Sequence, residues 1–506
     1  MTFEDHYPVL IVGAGPTGIT AATLLAQYGI ASLTLDRWPG VYAQPRAVHL
    51  DDEVVRILDR LGVAGEFAEI SRPALGLRLL DPGFAVLAEF RRDPAHTPHG
   101  HPQANMFDQP ALEALLRANL DRFPAASLYG GAEVTDITDL PTGGSRVGFT
   151  RRSDGTRHIV GADYLLGCDG ANSLVRAHIG SMMRELNFEQ RWLVVDIEST
   201  TDLGQWGGVH QLCDPQRAGT FMQIGPTRYR WEFRLLPGED AAQFRSFRAL
   251  HPLIAPWTGT LGEDRVEIIR AAEYTFRAQV ARTWRRGNTF LLGDAAHLTP
   301  PFIGQGMCAG LRDAMNLAWK LAGVIGHTLP TEVLDTYEQE RKPHASSMIR
   351  LALVIGRAMT EGGRIGDALR RAIMPRLSLI PGLREMLLSS VTPPLRRSAL
   401  VRRSVRGERL AGRLCPNALA PDGTRLDTVL GRGFAVVTTE HPDAACRRLV
   451  DDRGAVCYQA TPDSEIGRWL RRGRARAALV RPDHTVMAAG NDLSRLCREV
   501  PALPGG

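Results

Sequence analysis

The chain lacks most of what would place it outside ordinary globular proteins. Its 506 residues carry 60 Lys and Arg against 55 Asp and Glu, so the net charge of +5 gives no basic field suited to nucleic acid. No run approaches the roughly 20 uninterrupted apolar residues that a spanning helix needs, so no membrane segment is expected. Seven cysteines lie scattered at Cys168, Cys213, Cys308, Cys415, Cys446, Cys457 and Cys497, with no C-x-x-C pair. Their odd count and wide spacing disfavour a disulfide framework or zinc site and fit a reducing cytoplasm. Met1–His6 is acidic and does not read as a secretory signal. Low-complexity tracts and internal repeats are missing too.

What is present is average: 44% hydrophobic and 23% charged residues, enough for a large core. Two arginine clusters, Arg396, Arg397, Arg402, Arg403, Arg406, Arg409 and then Arg471, Arg472, Arg474, Arg476, alternate with apolar residues and read as solvated helix faces. At roughly 100–200 residues per domain, two to four domains are expected.

The chain opens as α/β. Pro8–Val12 is a short apolar run ending at Gly13, Thr17–Tyr28 has helical spacing, and Ala31–Leu35 is a second apolar run closed by Asp36, which together make a βαβ unit. Asp52–Leu61 and Gln109–Arg122 read as amphipathic helices. Strands are expected at Arg146–Arg151, His158–Val160 and Tyr164–Gly167. Residues 186–279 are β-rich, with runs at Trp192–Glu198, Thr220–Ile224, Tyr229–Leu236 and Val266–Phe276, and read as an inserted sheet domain. The first unit resumes over 280–345 with a strand at Thr289–Leu292 and a helix at Met307–Ile325. Residues 346–406 read as a helical, Arg-rich linker, and 407–506 as a smaller unit with strands at Phe434–Thr438 and Ala478–Val480.

Three segments carry chemistry. Gly13-Ala14-Gly15-Pro16-Thr17-Gly18 is G-x-G-x-x-G between a strand and a helix. Its glycines serve a tight turn, close approach of a pyrophosphate, and helix–strand packing, while the helix N-terminus offers free N–H groups to phosphate. Asp36, 23 positions after Gly13, is placed to accept from an adenosine ribose hydroxyl, with Arg37 beside it. This motif cannot choose between NAD and FAD. The second segment is Gly167-Cys168-Asp169-Gly170, running on to Arg176. The third is Gly293-Asp294-Ala295-Ala296-His297, continuing through Pro300-Pro301 to Gly304-Gln305-Gly306-Met307.

In this order, the three segments resemble the class A FAD-dependent aromatic hydroxylases, and within them the 3-(3-hydroxyphenyl)propionate hydroxylase type. Pro45-Arg46-Ala47, Asp51-Asp52-Glu53, Trp231-Glu232-Phe233 and Arg312-Asp313-Ala314 are similar to that type as well. The resemblance implies a Rossmann-like FAD-binding domain (1–185 and 280–345), an inserted β-sheet substrate domain, and a thioredoxin-like C-terminal domain without redox cysteines. It implies that Asp294 holds the ribityl chain, that Arg46 and Gln109 contact FAD, and that Asp169 and Arg176 serve flavin or pyridine nucleotide. Pro301, Gly304, Gln305, Gly306 and Met307 would bring backbone N–H groups to the flavin pyrimidine. Aimed donors are worth about 2.7–4 kcal/mol, more than the up to about 2 kcal/mol of a helix dipole.

The same resemblance implies NADPH or NADH and O2 as co-substrates, a small phenolic substrate, no metal, no nucleic acid and no membrane, and it leaves room for a homodimer. Accordingly, His96, His99 and His101 read as loop residues, not ligands. Alternation puts Trp231, Phe233 and Leu235 on one face of a strand and Arg230, Glu232 and Arg234 on the other, making Arg230 the catalytic candidate. The general base stays open. So do two rival functions: a tailoring oxygenase acting on an antibiotic or polyketide, by hydroxylation, epoxidation or Baeyer–Villiger insertion, and a flavin-binding regulatory protein.

Overall fold

The apolar run at the start of the chain forms the strand His6–Val12, buried over its last four residues as a strand covered on both faces must be. The computed structural model describes residues 4–43, 47–93, 97, 99–141, 143–360, 392–403 and 407–503. His6–Val12 pairs in parallel with Ser32–Asp36 on one side and Arg157–Gly167 on the other. Ala126–Gly130 and Thr289–Leu291 extend this parallel layer at its two edges. Arg157–Gly167 is one strand where two are expected, because Gly161 stays in register opposite His6 instead of breaking the run. Helix Pro16–Gln27 covers the layer and meets the long helix Gly306–Ile325.

The inserted sheet has eight strands in the order Val86–Arg91, Gly76–Leu80, Val209–Leu212, Gly219–Gln223, Arg228–Arg234, Met183–Glu198, Glu267–Ala281 and His297–Leu298. Two of them come from residues 76–91, inside the segment read as the first unit. Arg78 and Glu89 interrupt those short runs and hide their strand pattern, yet pair with each other across the hairpin at 2.6 Å. Tyr229, Trp231 and Phe233 alternate onto a core shared with Leu250, Ile254 and Trp257 of the helix Phe247–Thr258. Between them, Arg230 and Glu232 alternate onto the opposite face of the sheet.

The C-terminal unit has its own sheet, ordered Val456–Gln459, Ala435–Thr438, Ala477–Val480, Val486–Gly490. The first pair is parallel and the others antiparallel, the layout of a thioredoxin-like unit. Cys446 and Cys497 are joined in a disulfide between its helices Ala444–Asp451 and Leu493–Arg498, their Cα atoms 5.6 Å apart. That corrects the expectation from cysteine spacing. A separation of 51 residues carries no local signal, and only the packing of two distant helices brings the thiols together. Arg396, Arg397, Arg402, Arg403 and Arg409 are exposed but lie on irregular chain, not on a helix, because they flank the extended entry into this unit. Arg406 and His96 lie outside the described residues, as do 361–391 of the linker; the helix Asp335–Thr360 runs across its start.

Buried charge fixes the C-terminal unit to the first. Arg56 forks onto the Asp427 carboxylate and donates to Cys415 O at 2.7 Å. Arg481 donates to both Glu340 oxygens at 2.9 and 3.0 Å, and Lys320 Nζ reaches Glu340 at 2.9 Å. Burial resists ionisation of Asp427, but Arg56 and His484 outweigh it and hold the carboxyl at about 2. A carboxylate depressed on folding contributes stability above its unfolded value of about 3.8 and loses it as the pH falls to about 2. Acidification across that window should therefore loosen the unit. Fluorescence of Trp319, which meets Phe434 edge-on at 5.5 Å across the junction, should report it. Asp427→Asn should flatten the pH dependence of urea unfolding by on the order of 2 kcal/mol.

Candidate functional site

Three turns converge at Thr17. Its hydroxyl lies where a Cβ on Gly293 would come within 2.9 Å and one on Gly310 within 2.3 Å, so only bare backbone lets the third motif and the long helix close on the first. The second motif is as tightly held. A Cβ on Gly13 (φ +103°) would stand 2.3 Å from Cys168 O, and one on Gly18 would stand 1.9 Å from Gly13 O. Arg176 staples second to third, donating to Ala171 O at 2.7 Å and Ala295 O at 3.0 Å.

Gly15 is the exception. A Cβ there would meet nothing within 4 Å, and no side chain caps the helix Pro16–Gln27 that starts beside it. Gly13 and Gly18 are thus glycines for packing, and Gly15 is the one that leaves space over a helix N-terminus, as a pyrophosphate requires. The space belongs to a cavity of about 780 Å³, within the size range of cofactor sites.

Of the residues expected here, Gly15, Pro16, Thr17, Gln109, Gly293, Asp294, Pro301, Gly304, Gln305, Gly306 and Met307 line that cavity. Gly13, Gly18, Asp36, Arg37, Asp169 and Arg230 are not on its wall, and Arg46 lies outside the described residues. Asp36 accepts from the Ala14 N–H at 2.6 Å and the Trp38 N–H at 2.7 Å, tying its strand end to the glycine turn. Arg37 is exposed. Asp169 accepts from the Val175 N–H at 3.1 Å, its other oxygen is buried without a donor, and burial raises its pKa. Gln109 accepts from the Ala47 N–H at 2.6 Å, which fixes the segment following Arg46.

Gln305 does more than line the wall. Its amide donates to Asp51 at 2.7 Å and accepts from Arg312 at 2.9 Å, while Arg312 donates to Asp51 at 2.6 Å. Asp313, the next residue, accepts from the Gly293 N–H at 3.1 Å and from Arg341 at 2.8 Å, and bonds His297 at 2.8 Å. Burial opposes ionisation of Asp313, but His297 and Arg341 outweigh it and hold the carboxyl below its usual value. Sequence reasoning quoted Asp51 and Arg312-Asp313 for their resemblance and gave them no role. Their signal is charge inside an otherwise apolar helix, which has to be paired.

Arg230 is likewise spoken for. It is 1% exposed and forks onto Asp196 at 2.6 and 2.9 Å, so its charge is neutralised inside the sheet. The cavity runs on beneath this sheet between Trp192, Tyr274, Phe276 and Phe302 and the helix residues Met348, Leu351 and Ile355. His49, missed from sequence, stands beside Gly304; burial and the nearby Arg92 lower its pKa to about 4, leaving the ring neutral at pH 7. Among the described residues no three His, Cys, Asp or Glu side chains form a metal cluster, and no helix is long and apolar enough to cross a membrane.

A family model described as an FAD binding domain matches residues 6–352. This chain belongs to that family. Within it, the chain is an FAD-dependent monooxygenase, being 33% identical, over 96% of its length and 94% of the relative's, to a 3-(3-hydroxy-phenyl)propionate/3-hydroxycinnamic acid hydroxylase of Burkholderia cenocepacia (strain HI2424). It is also 31% identical, over 96% and 93% of the two chains, to a probable NADH-specific resorcinol 4-hydroxylase of Rhodococcus jostii (strain RHA1). Two solved structures share the fold: the flavin-dependent monooxygenase PieE in complex with FAD and substrate (TM-score 0.82, 23% identity, 99% and 98% coverage) and a ternary complex of aklavinone-11 hydroxylase with FAD and aklavinone (TM-score 0.80, 24%, 98% of each).

The family's cofactor fits what is here: an open glycine over an uncapped helix start, and a cavity of the right size. The division of labour among the glycines has a measurable consequence. Gly15→Val should abolish FAD retention while the melting temperature of the apoprotein changes little. Gly18→Ala should instead lower that melting temperature by several degrees, since the new methyl has to displace backbone.

Proposed function

We propose that this flavoprotein hydroxylates a phenolic aromatic compound, with NADH or NADPH as electron donor and O2 as oxygen source. The observation carrying the reading is that the convergence of the three turns opens directly into a space walled by Trp192, Tyr274, Phe276 and Phe302, sized and lined for an aromatic ring. The relatives named for hydroxyphenyl acids and resorcinol support the same substrate class.

In this reading Gly15, Pro16 and Thr17 hold the FAD pyrophosphate at the helix start, Asp36 and Arg37 serve the adenosine end, and Arg46, Gln109, Asp169 and Asp294 complete the contacts. Bound FAD supplies the redox chemistry that passes electrons from the nicotinamide to O2 and one oxygen atom to the substrate. The chain's own part is to position and to dry. The start of the helix Gly306–Ile325, which no side chain caps, presents N–H groups where negative charge on the flavin is best met. Met348, Leu351 and Ile355 keep water from the substrate end. Only one G-x-G-x-x-G occurs, so the nicotinamide has no nucleotide-binding unit of its own and docks transiently. A cytoplasmic location, where reduced nicotinamide is made, belongs to the same reading.

Purified protein should be yellow, and 3-(3-hydroxyphenyl)propionate, resorcinol or a polycyclic phenol should accelerate oxidation of NADH or NADPH. Mass spectrometry under 18O2 should find one labelled atom in the product. A colourless protein, or nicotinamide oxidation that no phenol accelerates, would overturn the reading.

A further inference from the structure

The group that takes the proton from the phenol is unassigned, and the inserted sheet offers it. Two neighbouring rows of side chains lie on the face of the sheet that borders the cavity, Arg270 and Met222 of one and Val194, Glu232, Thr220 and Gln211 of the other being on its wall. In one, Arg270, Asp196, Arg230 and Met222 sit in register across four strands, with Asp196 and Arg230 closed on each other. In the next, Ala272, Val194, Glu232, Thr220 and Gln211 sit in register. Here Thr220 donates to the Gln211 carbonyl at 3.1 Å, and the Gln211 amide donates to Gly219 O at 3.0 Å.

Glu232 has no such arrangement. It is 8% exposed and on the cavity wall, and among the described residues nothing donates a hydrogen bond to its carboxylate. Arg230 Nη1 stands 3.9 Å away, a Coulomb contact only. Buried carboxylates are almost always satisfied by donors, so one opening unsatisfied onto a ligand cavity calls for a donor from the ligand. A phenolic hydroxyl is such a donor.

Two other ionisable wall groups suit the task less. His49 is too weak a base at about 4 and bonds the Gly304 carbonyl, while Asp294 sits in the turn of the flavin motif. The charged groups facing Glu232 are Arg230 on its own strand, Asp196 on Met183–Glu198 and Arg270 on Glu267–Ala281; from Gly219–Gln223 its neighbour is the neutral Thr220. Burial, with Asp196, outweighs Arg230 and Arg270 and raises the Glu232 pKa, which makes the carboxylate a stronger base.

We propose that Glu232 is the catalytic base that accepts the proton of the substrate's phenolic hydroxyl, an inference that rests on the phenol-hydroxylase reading. The phenolic O–H bond breaks, its electron pair stays on oxygen as phenolate, and the proton forms an O–H bond to the carboxylate. The phenolate then feeds electron density into the ring carbon that receives oxygen. Arg230 and Asp196, already paired, serve as positioning residues.

The test uses the FAD-loaded enzyme and whichever of 3-(3-hydroxyphenyl)propionate, resorcinol or a polycyclic phenol it oxygenates. Bound to wild type at pH 7–8, that phenol should show the near-ultraviolet band of its phenolate; a bound phenol that ionises only at its solution pKa of about 10 overturns the proposal without any variant. Glu232→Gln should keep its FAD, lose the phenolate band and lose product formation at pH 7 by about 10²-fold or more, with nicotinamide oxidation running on uncoupled. Its product formation should recover as the pH approaches that of free phenol ionisation, and Glu232→Asp should restore part of it at pH 7. A Glu232→Gln enzyme with the wild-type band and pH profile overturns the assignment while leaving the phenol-hydroxylase reading intact. A wild type that oxygenates none of these phenols overturns the parent reading and this one with it.

Discussion

Everything at the flavin end depends on two adjacent residues of one buried helix. Arg312 and Asp313 point from Gly306–Ile325 in different directions, and each clamps a different turn: Arg312, through Asp51, holds the loop at Gln305, and Asp313 holds the backbone of Gly293. Both charges are out of water, so each costs several kcal/mol to desolvate, and only complete pairing offsets that cost. A hydrophobic core of the same volume would be as stable. It would not fix two glycine-bearing turns, with few side-chain contacts of their own, at a defined distance from a third. The ion pairs therefore supply position more than stability.

The same helix carries the C-terminal unit. One and two turns beyond Asp313, Asn316 and Lys320 join Glu340, Arg481 and Asp483 in a second buried network, and Trp319 packs on Phe434 between them. The helix thus has flavin turns at one end and a docked domain along its middle. Arg56 makes a parallel connection, since its helix Asp52–Leu61 begins at the Asp51 that Arg312 holds. The C-terminal unit has the sheet of a thioredoxin-like domain, but its burial against these helices makes it a brace for the site.

Glycines and acids were legible in the sequence to the extent that their spacing is local. The helix Asp52–Leu61 could be bounded to the residue because Asp51 caps it and Gly62 ends it in a left-handed turn, both local signals. The wall positions Gly15, Thr17, Asp294 and Gly304 could be read for the same reason. What could not be read is whatever needs partners far apart in the chain: the strands Gly76–Leu80 and Val86–Arg91 added to a sheet built from residues after 180, the link between Cys446 and Cys497, and the neutralisation of Arg230 by Asp196. Alternation put Arg230 and Glu232 on one face of their strand, yet it could not say which of the two had already found a counter-charge.

That distinction follows from how a sheet neutralises charge. Asp196 faces Arg230 directly across the strand pair, where a bidentate fork is geometrically easy, and Glu232 is one register step along, where the same guanidinium reaches only to 3.9 Å. A single arginine cannot satisfy both carboxylates with its fork. The acid that wins it becomes structural, and the one left over keeps its lone pairs for whatever enters the cavity. A sheet face with two acids and one well-placed guanidinium thereby sorts its residues into a fixed pair and a reactive remainder, with no specialised loop required.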